Sequence, residues 1–261
     1  MSSESLMAAL LFVIVGFLYS SVGHAGASGY LAVMGLLGMS AAAMKPTSLT
    51  LNIVVAVIGT IQFVSAGHLR WRLFWPFAVM SIPMAYLGGG IKLAPEVYKP
   101  LIGAVLLFSA WRLWAGSMKR EEPQTAAPSL PVALGAGAAL GFAAGLTGTG
   151  GGIFLSPLLL LCRWAGPKET AAVSVLFILV NSVSGLYGAM KSGQHPPPEI
   201  WMWCVAAAAG GLAGSHLGAR RFGGKTLRRL LAVVLVIAGA ALVRDGVQIV
   251  RQQSAGTKAA G

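Results

Sequence analysis

Residues 141–155 read GFAAGLTGTGGGIFL, and residues 16–31 read GFLYSSVGHAGASGYL. Both open on Gly-Phe, pass through apolar residues into a glycine cluster, and continue apolar. About 125 residues separate them. Landmarks downstream recur as well. Lys45 and Thr47 answer to Lys168 and Thr170, a polar loop at 67–72 to one at 191–199, and a Gly-rich segment at 88–90 to one at 210–218. Internal duplication in a hydrophobic chain is a mark of transporters, whose substrate sites lie where the repeats meet.

Composition sets the class. Of 261 residues, 56% are hydrophobic and only 10% are charged, against roughly a quarter charged in a soluble domain. So few charges could not cover a water-soluble fold of this size. The 35 glycines suit membrane helices, where small residues let backbones approach. The apolar runs are long and do not alternate, which excludes a β-barrel reading. The net charge of +12 comes mostly from Lys and Arg placed between apolar segments, as expected of cytoplasmic loops. It implies no nucleic-acid partner, since no Arg-rich helix or zinc signature accompanies it. Cys162 and Cys204 lie in or beside apolar runs outside any C-x-x-C pattern, which argues against a disulfide framework or a metal site. No cofactor is implied. The first apolar run lacks the basic flank of a signal peptide, so it is read as the first membrane segment.

The chain divides into a transmembrane repeat over 1–116, a polar Pro-bearing linker over 117–129, a second transmembrane repeat over 130–250, and a polar, disordered tail over 251–261. Each repeat offers five apolar segments: 6–21, 28–44, 48–66, 73–91 and 98–115, then 130–146, 152–163, 170–190, 200–218 and 228–249. A crossing helix needs about 20 residues. The last three segments of each set approach that length. The first two are shorter and joined by glycines, as in a hairpin that either crosses or re-enters. The fold class is therefore all-α: a polytopic membrane protein of two inverted repeats, each a Gly-linked hairpin of short helices plus three transmembrane helices.

If each hairpin returns to its starting side, one face collects Arg70, Arg72, Arg112, Lys119, Arg120, Arg163, Lys168, Arg220, Arg221, Lys225, Arg228 and Arg229. The other receives Lys45, Lys92, Lys99, Lys191, Arg244, Arg251 and Lys258. The richer face is the cytoplasmic one, which places the linker inside and both termini outside.

The glycine clusters are the first candidates for chemistry. Gly148, Thr149, Gly150, Gly151 and Gly152 give a stretch of high backbone freedom. Unwound backbone inside a membrane is tolerated where it is buried in protein or lines a cavity. A helix beginning at Ile153 would turn its free N–H groups toward that turn and suit an anion. The counterpart runs Gly23, His24, Gly26, Ser28 and Gly29. Close helix packing is the alternative reading of both clusters. Two turns entering from opposite faces would point their helix N-termini at one shared volume, with no buried Lys or Arg required. The third segment of each repeat adds Asn52 and Asn181, which face the protein interior because an unbonded amide is costly in lipid. They are candidates for substrate contacts, with an interhelical hydrogen bond as the alternative. His24 and His216 are the ionisable groups well inside apolar segments, and no embedded carboxylate supports a proton relay.

The run from Gly141-Phe142 through Gly148-Thr149-Gly150-Gly151-Gly152 to Pro157, the polar third segment and the basic stretch before the last helix together resemble the sulfite exporter TauE/SafE family of membrane permeases. The resemblance covers about residues 6–249. The first half departs from it: His24, Ala25, Ala27 and Ser28 interrupt what would be plain glycines, and no Pro follows at the matching place. The resemblance implies a non-enzymatic transporter of a small anion such as sulfite, thiosulfate or an organosulfonate, in a bacterial inner membrane. Its partners would be the lipid bilayer and the small anionic substrate, and the Gly-rich faces leave room for a homodimer. Two other functions stay open: a passive channel or scaffold, and an intramembrane hydrolase pairing Ser184 with His216, which lacks the G-x-S-x-G turn.

Overall fold

The computed structural model describes residues 3–21, 23–116 and 127–220, with residues 236, 239–240, 242–244 and 247 beyond them. Most of the linker, most of the fifth segment of repeat two, the basic stretch 221–229 and the tail lie outside the described residues. What is described is helical, with no strand, as expected where lipid offers the backbone no partner. Helix α1 (Ser3–Ser20) leads through a glycine turn into the short α2 (Ala27–Leu36), then α3 (Ala41–Ser65), α4 (Trp71–Gly90) and α5 (Pro95–Gly116). The second half repeats this with α6 (Leu130–Thr147), α7 (Gly152–Leu161), α8 (Pro167–Lys191) and α9 (Ile200–Arg220). The paired lengths are 18 and 18, 10 and 10, 25 and 25, and 20 and 21 residues. The duplication legible in the glycine clusters thus extends through at least four elements per half.

Helices α3, α4, α6, α8 and α9 are long and apolar enough to cross a membrane. The ten residues of α2 and of α7 reach only about 15 Å at the helical rise, half the ~30 Å hydrocarbon core. Large apolar side chains stay exposed on the outside of the bundle, among them Leu6, Ile61, Trp201 and Val205. Such a surface suits lipid contact.

The segment expected as one run over 28–44 is broken. Helix α2 stops because Gly38 takes a positive φ of 70°, where Met39 N–H donates to Met34 O and Gly38 N–H to Gly35 O. This paired closure is a Schellman motif. Ser40 then takes extended backbone and starts α3, so Lys45 falls inside a membrane-length helix rather than in a loop. The correspondence of Lys45 with Lys168 also fails. Lys168 is the second residue of α8, whereas Lys45 is the fifth of α3. The residue of α8 that matches Lys45 is Ala171.

The halves interlock. Helix α4 packs on α6 and α8, while α9 packs on α1 and α3 in the exchanged sense. The equivalent helices α3 and α8 cross at the centre. There Gly185 lies near Leu49 and Gly59 against Val175, and Asn52 meets Ser182, a register in which the two helices run antiparallel. Glycine makes these contacts possible. Gly137, Gly141 and Gly145 of α6 lie against the backbone of Phe77, Ser81 and Ala85 of α4, and Gly210 and Gly214 of α9 against Val13 and Phe17 of α1. A Cβ at any of them would overlap a backbone atom. The Gly-rich stretches at 88–90 and 210–218 therefore serve packing within the chain at Gly88, Gly89, Gly210, Gly211 and Gly214. The larger apolar core lies among α1, α2, α3, α5, α8 and α9, where Phe12 meets Tyr30 and Trp203 edge-on at 5.4 and 5.6 Å.

Candidate functional site

Each hairpin has a left-handed glycine where its first helix ends and another where its second begins. Gly23 (φ 78°) and Gly148 (φ 78°) close α1 and α6, while Gly26 (φ 110°) and Gly151 (φ 84°) precede α2 and α7. A side chain rarely adopts such angles. His24, Ala25, Ala27 and Ser28 therefore spare both positions that close and open the helices in the first copy. Gly150 is positive too (φ 70°), and its place in the first copy is taken by Ala25. Neither α2 nor α7 has a side-chain cap at its start. The leading N–H groups of both helices are thus left to whatever occupies the turns.

The structure brings the turns together. His24, Gly26, Ser28, Thr149 and Ile153 share the lining of one cavity of about 10 Å³, room for about one water molecule. His24 Nε2 lies 3.2 Å from Ser156 Oγ on α7, and Ser156 Oγ donates to Ser174 Oγ on α8 at 2.8 Å. This chain ties the turn of repeat one to two helices of repeat two. Ser28 donates to the Tyr19 hydroxyl at 3.0 Å, and Thr149 shares a hydrogen bond with Thr147 at 2.9 Å.

Gly150 meets the central crossing. A Cβ there would stand 2.7 Å from Ser182 Oγ and 3.0 Å from Asn52 Nδ2. Asn52 Nδ2 reaches Ser182 Oγ at 3.5 Å, but Asn52 Oδ1 and both amide atoms of Asn181 lack partners although the residues are fully buried. An unpaired buried polar atom costs about 1–3 kcal/mol, so three on two residues at the crossing call for an explanation. Other predicted positions go elsewhere. Gly29 packs on Val15 and Tyr19, and Gly152 on Ile178. Gly23 abuts Ala171 at the start of α8, and Gly148 abuts Lys45 near the start of α3. Ser48 Oγ holds the Gly148 carbonyl at 2.8 Å, and Tyr98 Oη holds that of Thr147 at 3.1 Å.

A buried lysine, absent from the embedded ionisable groups expected from sequence, lies near the second turn. Lys45 is 2% exposed, and its Nζ donates to Ile91 O at 2.6 Å and Gly89 O at 3.3 Å. These carbonyls end α4, where the helix dipole favours a cation. Reading a lysine between apolar runs as loop charge hid it. The available signal was Ser40, a helix-starting residue five positions earlier. Ser156 was missed because one serine within IFLSPLLLL carries no pattern. The Ser184–His216 pair does not form: Ser184 Oγ donates to Ile82 O, and His216 lies on an exposed face of α9. At the far end of α4, Arg70 pairs with Glu169 at 3.3 Å.

Against known proteins, the family model for the sulfite exporter TauE/SafE matches residues 8–242. A chain of Sinorhizobium fredii named "Probable membrane transporter protein" is 39% identical over 248 residues, which is 93% of this chain and all of that one. A Methanocaldococcus jannaschii chain of the same description is 25% identical over 143 residues, 54% of this chain and 53% of its own length. No solved structure matches significantly.

Proposed function

The chain belongs to the sulfite exporter TauE/SafE family, and from this premise we propose that it is a secondary transporter of a small sulfur-containing anion: sulfite, thiosulfate or an organosulfonate. That it is a multi-pass membrane transporter follows from the family, its relatives and five membrane-length helices. The observation that carries the finer reading is the convergence of two uncapped helix N-termini, α2 and α7, on one small cavity that His24, Ser28 and Thr149 help to line. Each N-terminus presents free N–H groups and about half a positive charge. The anion would be cradled by backbone N–H groups of Gly148–Gly152 and Gly23–Gly29. Side-chain hydrogen bonds would come from Thr149, Ser28, Asn52 and Asn181, with His24 at the edge. The partnerless amide atoms of Asn52 and Asn181 support this, because a ligand that satisfied them would offset their burial.

A cavity of about 10 Å³ holds no sulfonate, so binding there requires the surrounding helices to move apart. The antiparallel crossing of α3 and α8 supports an inverted relation of the halves. Movement of one half against the other would open the site to each face in turn. A passive channel would instead need a continuous path. The proposed setting is a bacterial inner membrane with both termini outside.

The test is uptake of labelled sulfite into liposomes carrying the purified protein, with thiosulfate and ethanesulfonate as competitors, with and without a pH gradient. Saturable uptake slowed by the competitors is expected. Uptake that rises linearly with concentration would favour the channel, and no movement of any sulfur anion by folded protein would overturn the substrate class.

A further inference from the structure

A second cavity, of about 480 Å³, lies at the start of α3. Its lining includes Ser40, Lys45, Lys92, Tyr98, Gln194 and His195, and no Asp or Glu among the described residues. Lys92 and His195 stand exposed at its rim. Lys45 lies inside, 2% exposed. Two carbonyls take two of its ammonium donors, while no carboxylate pairs with it among the described residues. A buried charge without a counter-charge is unfavourable. The start of α3 faces the same space: Ala41, Ala42 and Ala43 line it, Ser40 makes no side-chain cap, and the first N–H groups donating back to Ser40 O are those of Ala43 and Met44. A helix N-terminus and an uncompensated lysine therefore meet in a cavity large enough for a sulfonate.

We propose that this cavity is an anion-binding vestibule. In it Lys45, the N-terminus of α3 and the rim cations hold a small sulfonate or sulfur oxyanion before it reaches the glycine turns. The proposal rests on the transporter reading for its ligand class and extends it to a second site. One lining residue of the cavity, Lys45, touches the α6–α7 turn. Lys45 Cγ lies 3.0 Å from where a Cβ on Gly148 would sit, and Ser48, one helical turn on, holds the Gly148 carbonyl. An anion that draws Lys45 Nζ away from Gly89 and Ile91 leaves the end of α4 held by Gln194, whose Nε2 donates to Gly89 O at 3.3 Å. Binding in the vestibule is thereby mechanically linked to the α6–α7 turn. The device is one-sided. Gly23, which occupies in repeat one the place of Gly148, abuts Ala171 instead of a lysine, so the duplicated halves present unlike entrances.

The experiment places one thiol in the vestibule, Ala42→Cys, in full-length protein with Cys162→Ala and Cys204→Ala, reconstituted in phosphatidylcholine so that no anionic headgroup competes. Labelling rates are compared for a methanethiosulfonate reagent carrying a sulfonate and one carrying a trimethylammonium group. Focusing of the field by the lysines predicts a preference of about tenfold for the anionic reagent, and slowing of its reaction by ethanesulfonate. Lys45→Met should remove most of the preference and the protection. Lys92→Gln at the exposed rim, which leaves the buried contacts of Lys45 intact, should reduce the preference by a smaller factor. Labelling indifferent to reagent charge, or ethanesulfonate protection that persists in both variants, would overturn the vestibule. Failure of sulfite uptake with this charge preference intact would instead count against the transport reading alone.

Discussion

Asn181 separates ligand chemistry from architecture at the scale of one side chain. Both its amide atoms are buried without partners. Replacing it with an apolar residue of similar size relieves an unsatisfied group worth about 1–3 kcal/mol. Asn181→Leu is therefore expected to raise the melting temperature in detergent while cutting saturable sulfite uptake at least about tenfold, the equivalent of one lost hydrogen bond to a charged ligand. Unchanged uptake would remove Asn181 from the site. Gly150 makes the complementary prediction. Its positive φ and the nearness of Ser182 Oγ and Asn52 Nδ2 leave no room for a methyl group, so Gly150→Ala should abolish uptake. At this scale Thr149, Asn52 and Asn181 could be picked out by residue type alone, because polar groups in apolar runs are costly wherever they lie. Lys45 could not, since a lysine at a segment boundary and one buried under α4 carbonyls look alike in one dimension.

Glycine spacing decides how the elements pack. On α6 the residues at intervals of four, Gly137, Gly141 and Gly145, meet the α4 backbone, whereas Gly135 has nothing within 4 Å of its absent side chain. Gly141→Ala is expected to destabilise by about 1–3 kcal/mol, the usual cost of overpacking. Gly135→Ala should be neutral or stabilise by about 0.5–1 kcal/mol through helix propensity. Unfolding in mixed detergent micelles measures both, and equal effects would refute the ladder. Helix existence was legible in long apolar runs. The break after Leu36 was not, because it depends on two backbone hydrogen bonds closing at Gly38, and many helices continue through a single glycine.

For the whole molecule, the exchanged contacts of α4 with α6 and of α1 with α9 make each half incomplete without the other. Expressed alone, residues 1–116 should therefore give an aggregated or proteolysed product, read by size-exclusion chromatography; a monodisperse, folded half would contradict that interlock. Charge carries a prediction of orientation. The excess of Lys and Arg predicted for the linker face implies that alkaline phosphatase fused after Gly261 is active and a fluorescent protein there is dark. The reverse pattern would turn the molecule over and put the Lys45 cavity on the cytoplasmic side.

Duplication, membrane class, the glycine hairpins and the polar residues of the third segments are local properties of residue type and spacing, and the chain carries them without folding. The meetings of His24 with Ser156, of Gly150 with Asn52 and Ser182, and of Lys45 with the end of α4 are contacts between residues that lie far apart in the chain, up to 132 positions for His24 and Ser156. Their register is set by which small residues let two backbones touch, a property of facing surfaces that only packing reveals.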